Sequence, residues 1–193
     1  MSTLMELGMK KNWLYEVVIS SFDNRVPHAA PFGVKTRDLK SVAIEMYKDS
    51  NTLRNVLAGK EFALNTISDP TAFYYALYKR EKINFGRAKM IQAPVLTDSS
   101  ASIEARLTNA ENKKASILIE AEVVYVHIRN RSELINRAKG VFLESLIVAT
   151  RIPYLPEGKA MEILKENYRV IKKTAPGSKY EDIIRELLDK CGM

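Results

Sequence analysis

The sequence predicts an α+β protein, with a strand-rich body to about residue 130 that closes into an antiparallel barrel and a helical appendage over 131–193. Three observations predict it. Short apolar segments with period-two alternation recur at hairpin spacing through the first part. Near Ser132 the apolar period changes to 3.6 residues and stays there to the end. The hydrophobic share, 46% of 193 residues, is enough to bury a sizeable core.

The elements follow in order. LYEVVIS (14–20) is rich in β-branched residues and leads to the turn signal Asp23-Asn24. HAAPFGV (28–34) is the second strand, although proline and glycine weaken a strand unless another backbone or a ligand comes close to it. SVAIEMY (41–47) alternates cleanly, with Val42, Ile44 and Met46 on one face. A short helix over about 51–58 gathers Leu53, Val56 and Leu57 on one side, and Gly59 stops it. EFALNTI (61–67) is the fourth strand. A second short helix starts after Asp69-Pro70 and runs through TAFYYALYKR, where Tyr74, Tyr75 and Tyr78 read as a packing face. SIEARL (102–107) and ASILIEAEVVYVHI (115–128) form a hairpin through a polar turn at 109–114, and Glu104 and Glu122 read as strand carboxylates facing solvent. About six short strands at this spacing favour a closed barrel over an open sheet.

In the second part, Leu134, Ala138, Val141, Phe142, Ser145, Leu146 and Ala149 share one face of a helix over about 132–150. IPYLPEG breaks it. A further helix spans about 157–173, APG ends that one, and SKYE (178–181) fits a capping box that starts a third helix, to Lys190. The domains are therefore 1–130, the barrel, and 131–193, a three-helix appendage.

Composition narrows the function. The formal charge is +7 and the pI near 9.4. Lys plus Arg outnumber Asp plus Glu by 18 to 14 over residues 1–130, 3 to 2 over 131–150 and 9 to 7 over 151–193. So even an excess argues against a dedicated nucleic-acid stripe or tail, and solvated faces account for it. No run reaches the roughly 18 apolar residues of a membrane span, and the start carries charges at Glu6, Lys10 and Lys11 before any secretory-type apolar stretch. The single cysteine, Cys191, leaves no intrachain disulfide and no zinc cluster. A cytoplasmic location is expected.

The chemistry-bearing motifs are mostly missing. Only two histidines are present, His28 and His127, and there is no HExxH, GxSxG, GxxxxGK[ST] or strand-linked GxGxxG. No catalytic residue and no metal-ligand set stand out, which favours a cofactor that carries its own reactivity. The best contact for one is KDSNTLRN (48–55). There Asp49 or Ser50 can cap the helix and leave amides near Thr52 free for a phosphate, with the Ser50 and Thr52 hydroxyls and the Lys48 and Arg54 cations alongside. An ordinary capped helix with solvated cations would read the same way.

Order adds what no single motif supplies. A strand ending in Ser20-Ser21, then a turn, HAAPFG, an alternating strand, SNTLRN at a helix start and FALN on the next strand together resemble the flavin reductase-like FMN-binding split barrel, a Greek-key fold. PVLTDSSASIEARL (94–107) and LIEAEVVYV (118–126) resemble its second half. More narrowly, YEVVISS, PHAAPFGVK, YKDSNTLRNV and ESLIVATRI (144–152) resemble a largely archaeal domain-of-unknown-function family, number 447, with a split-barrel N-terminal part and a helical C-terminal part. The chain departs from the family pattern at His28, where an asparagine is usual, and at Ala121 in place of a glycine before Glu122.

The resemblance implies FMN held at a homodimer interface, with the phosphate near Ser50, Thr52 and Asn55, charge from Lys48 or Arg54, and Ser20 and Ser21 within reach of the phosphate or ribityl chain. Ala29, Ala30, Pro31 and Gly33 let a backbone approach the flat ring, Phe32 packs on it or in the core, and His28 meets the flavin or turns away. Asn65 is either a buried amide satisfying the sheet or a contact near the cofactor, and the structural role is favoured because buried amides usually have local partners. Trp13 reads as a core or interface anchor. Arg151 is a helix-end cation or a contact from the appendage. The implied activity is that of an FMN-dependent oxidoreductase with a nicotinamide or other electron donor. An FMN carrier or sensor without turnover would use the same motifs, and a flavin-free basic interaction module is the remaining alternative.

Overall fold

The structure, a computed structural model, describes residues 3–191, and the side chains of Lys190 and Cys191 lie outside the described residues. The chain divides into two compact units: one comprises residues up to Lys11 with Tyr15–Ile135, the other Asn12–Leu14 with residues from Asn136 on.

The first unit is a closed six-stranded antiparallel barrel in the order β1 (Tyr15–Asp23), β2 (Val26–Lys35), β3 (Ser41–Tyr47), β8 (Ser116–Ile128), β7 (Ala101–Asn112), β4 (Glu61–Thr66). Strands β1 (Tyr15–Asp23) and β2 (Val26–Lys35) form a hairpin whose two central residues, Asn24 and Arg25, both take positive φ, 49° and 71°. That is the two-residue turn whose twist matches a right-twisted hairpin. β2 pairs with β1 from Val26 to Val34, but with β3 (Ser41–Tyr47) only through Val34 and Lys35. Residues 26–33 therefore leave one strand edge unpaired, and an unpaired edge is where the prolines Pro27 and Pro31 cost no ladder bond. Helix α1 (Asn51–Gly59) and strand β4 (Glu61–Thr66) follow, then α2 (Thr71–Tyr78) and a 3-10 turn at Arg80–Lys82. β7 (Ala101–Asn112) and β8 (Ser116–Ile128) close the barrel. Phe62, Ile19, Ile44, Met46, Leu64, Ile103 and Ile119 are fully buried, each contributing roughly 1.5–3 kcal/mol relative to exposure.

Two short strands, β5 (Phe85–Arg87) and β6 (Pro94–Leu96), form a separate two-stranded sheet that sequence alternation did not reveal, three residues being too few to show a period. The loop between them is pinned by carboxylates: Glu104 accepts the Lys89 and Met90 amides at 2.7 and 2.6 Å, and Glu61 accepts the Gln92 amide at 2.7 Å. Glu104 is thus buried, not solvent-facing, because two backbone amides, one on each oxygen, replace its water. Other expectations also change. The polar residues 109–112 are strand, not turn, since the β7–β8 arm pairs down to Asn112↔Ile117 and is exposed. Helix α1 retains Gly59 and stops at Lys60, which takes the left-handed cap at φ 58° and donates its amide to Val56 O. On α2 the buried residue is Ala76, while Tyr74 and Tyr78 are exposed.

The second unit holds α3 (Arg137–Thr150), a 3-10 turn at Ile152–Tyr154, α4 (Lys159–Thr174) and α5 (Lys179–Cys191). Ala138, Ile171, Ala175 and Ile184 form its core, with Trp13, Phe142 and Tyr180 packed on it. α3 starts at 137 rather than 132 because Asn136 caps it, accepting the Ala138 amide at 2.9 Å while its Nδ2 donates to the Leu14 and Thr174 carbonyls at 2.8 Å each. α5 opens on the expected box, with one change: Ser178 accepts the Glu181 amide, and Glu181 reaches the amide of Gly177 rather than that of Ser178.

Candidate functional site

Helix α1 begins as the sequence requires. Ser50 is the N-cap, its hydroxyl oxygen accepting the Leu53 amide at 3.4 Å. The amides of Asn51 and Thr52 have no acceptor inside their own helix, and the first turn holds no acidic side chain to fill their place. The Ser50 hydroxyl keeps its proton to donate. Lys48 and Arg54 are exposed beside this end, the Arg54 guanidinium resting on the Asn51 side-chain carbonyl. This donor set suits an anion.

An open groove of about 420 Å³ starts at this helix end and runs along the unpaired edge of β2. Asp49 and Ser50 border it at one end, and Pro31, Phe32 and Gly33 form its wall, half-buried. Tyr47, Glu45 and Glu16 complete the rim. The two segments singled out in the sequence, PHAAPFG and KDSNT, therefore share one surface. The rim residues Glu45 and Tyr47 were missed, although the alternation of SVAIEMY already places them on the face opposite Val42, Ile44 and Met46.

A buried polar cluster links the start of α1 to the β1–β2 hairpin. The His28 Nε2 is 3.0 Å from Thr52 Oγ1, and Asn55 Nδ2 donates to Ser21 Oγ at 3.3 Å. All four side chains are buried. Burial holds the His28 imidazole below its usual 6.5, the Arg80 cation pushes the same way and Asp23 opposes them. Arg80 had no place in the sequence reading, because nothing local ties it to residue 28.

Ser20 and Ala29 sit elsewhere. Ser20 is fully buried, donating to Pro94 O at 2.6 Å and accepting from Asn65 Nδ2 at 2.9 Å. Asn65 also donates to Val18 O and accepts the Leu96 amide and the Ser102 hydroxyl, so this amide is satisfied on both ends. Ala29 packs with Val18, Ile67, Ala76 and Leu96, and Ala30 is half-buried. Arg151 belongs to the helical unit, where its amide caps α3 on Val148 O. No set of three or more His, Cys, Asp or Glu among the described residues is arranged for a metal. No helix among them is long and apolar enough to cross a membrane.

A six-stranded antiparallel barrel in this strand order, with one edge of β2 left unpaired, is the split-barrel fold. The chain belongs to the family described as protein of unknown function DUF447, whose N-terminal domain matches residues 15–130 and whose further part matches residues 136–190. Among solved structures it is similar to an FMN-bound protein of that family from Methanosarcina mazei, at 24% identity over 97% of this chain and 99% of that one, with a TM-score of 0.58. An NADH:FAD oxidoreductase from Streptomyces globisporus matches at 14% identity, 61% of this chain, 72% of that chain and a TM-score of 0.54. Flavoredoxin from Methanosarcina acetivorans matches at 11%, 63%, 72% and 0.54. At these identities the likeness to solved structures establishes the fold.

Proposed function

We propose that this chain is an FMN-binding flavoprotein that works as a flavin reductase-like oxidoreductase. The observation that carries the reading is a groove that runs from Ser50, the N-cap of α1, to the Pro31-Phe32-Gly33 wall. The phosphate is held by the Ser50 hydroxyl and the Asn51 and Thr52 amides, with Lys48 and Arg54 supplying charge. The unpaired edge of β2 offers backbone groups to the polar edge of the ring, and Gly33 lets that backbone come close. Bound FMN supplies the electron-transfer chemistry, so the chain's task is to bind, orient and exclude water. Supporting the reading, the family includes an FMN-bound protein, and similar folds include an NADH:FAD oxidoreductase and a flavoredoxin.

The groove is open on one side, which fits a second copy of the chain completing it in a homodimer. A nicotinamide is the natural donor to try. His28 is turned to Thr52 rather than into the groove, which favours proton transfer by solvent or substrate over an imidazole. A carrier that binds FMN without turnover uses the same groove, and reduction separates the two. Purified protein is expected to take up FMN with flavin absorbance and to bleach anaerobically with NADH or NADPH. Protein that stays colourless with added FMN would contradict the flavoprotein reading, and FMN that no nicotinamide reduces would favour the carrier.

A further inference from the structure

The barrel unit holds a second recess that the groove does not use. It lies between the start of α2 and the β5–β6 sheet, encloses about 200 Å³ and shares no lining residue with the groove. Its floor is apolar, with Ile67 and Leu96 each 5% exposed. The Tyr75 ring forms a wall, and the Lys82 ammonium stands 5.4 Å from that ring's centroid. Two exposed carboxylates, Asp69 and Asp98, are among the lining residues. Asp69 spends one oxygen on the Thr71 amide at 2.9 Å, and Asp98 accepts from Asn84 Nδ2 at 2.9 Å and from Thr97 Oγ1 at 3.2 Å. Each carboxylate has about four lone-pair positions, so both retain acceptor capacity.

We propose that this recess binds a planar heteroaromatic ring carrying an amino or amide N–H, neutral or singly cationic, of the size of a pyridine or purine base. Size sets the first limit, because 200 Å³ lies below the roughly 300–1,000 Å³ of sites for drug-sized ligands and admits one or two rings. Shape sets the second: an aliphatic floor with an aromatic wall selects a flat ring. Charge sets the third. Two carboxylates and one ammonium among the lining residues favour a ligand that donates N–H bonds over one that only accepts them. The inference stands apart from the FMN reading, since neither the residues nor the ligand chemistry is shared.

The test is a titration of the full chain, as purified, with adenine, nicotinamide and benzoate, followed by amide chemical shifts of residues 67–72, 82–84 and 96–98. Adenine or nicotinamide is expected to shift these residues saturably, and benzoate to shift none. Asp98→Asn should weaken binding at least about tenfold, and Tyr75→Ala should weaken it further. Asp98→Asn preserves the side chain's shape, so it decides the matter even where Tyr75→Ala loosens α2. Benzoate binding as well as the bases, no saturable shift with either base, or affinity unchanged in Asp98→Asn would overturn the proposal.

Discussion

Protonating His28 means charging a ring that is buried beside Thr52 and near the Arg80 cation, so its folded pKa lies below the unfolded 6.5. The neutral ring is therefore favoured in the fold, and the unfolded chain binds the extra proton first. Stability should be full above about pH 6.5 and fall as the pH drops below it. His28→Asn should flatten that part of a plot of melting temperature against pH; an unchanged slope would assign the loss to other groups. Asn65 makes the opposite kind of prediction, independent of pH. Asn65→Ala strands the buried Leu96 amide and takes one bond each from Val18 O and the Ser20 and Ser102 hydroxyls, which keep other partners, and should cost about 3 kcal/mol in a denaturant titration. The buried-amide role of Asn65 was legible from its place in a strand. The Thr52 partner of His28 was not, because 24 residues separate them and only the closed barrel brings them together.

At the scale of elements, alternation found β3 to the residue and located β1, β2, β4, β7 and β8, since each has one face against the barrel core. It lost the end of β7, where polar residues 108–112 form an exposed hairpin arm with no buried face to create a pattern. It also placed the α3 start five residues early, reading Leu134 as helical when Ile135 O accepts the Glu16 amide instead. The C-cap of α1 supplies a direct test. Lys60 holds φ 58°, a region that costs a side-chain-bearing residue about 1 kcal/mol or more. Lys60→Gly should therefore raise stability by about 1 kcal/mol, whereas a loss would show that the lysine side chain offsets its own strain.

For the whole molecule, the two units have separate cores and one natural reporter. Trp13, the only tryptophan, packs on the helical unit's core, so its fluorescence follows that unit. Asn136 holds the Leu14 and Thr174 carbonyls and caps α3 at once. Asn136→Ala should lower the midpoint of the tryptophan-detected transition, by about 2 kcal/mol or more; an unmoved midpoint would show the strap to be dispensable. The division into a strand-rich and a helical part was readable in the change of period near residue 132, but the membership of residues 12–14 in the helical unit was not, because it rests on those long-range bonds.

The proposed function puts the FMN phosphate at the start of α1, and Ser50→Asp tests that placement. Aspartate caps a helix as well as serine does, so the fold is kept, while a carboxylate takes the anion's place. Affinities for FMN and for riboflavin, measured by fluorescence quenching on wild-type and variant protein, should diverge: FMN binding falls at least about tenfold, and riboflavin binding, which has no phosphate to repel, stays unchanged. FMN affinity that survives Ser50→Asp intact would contradict the account.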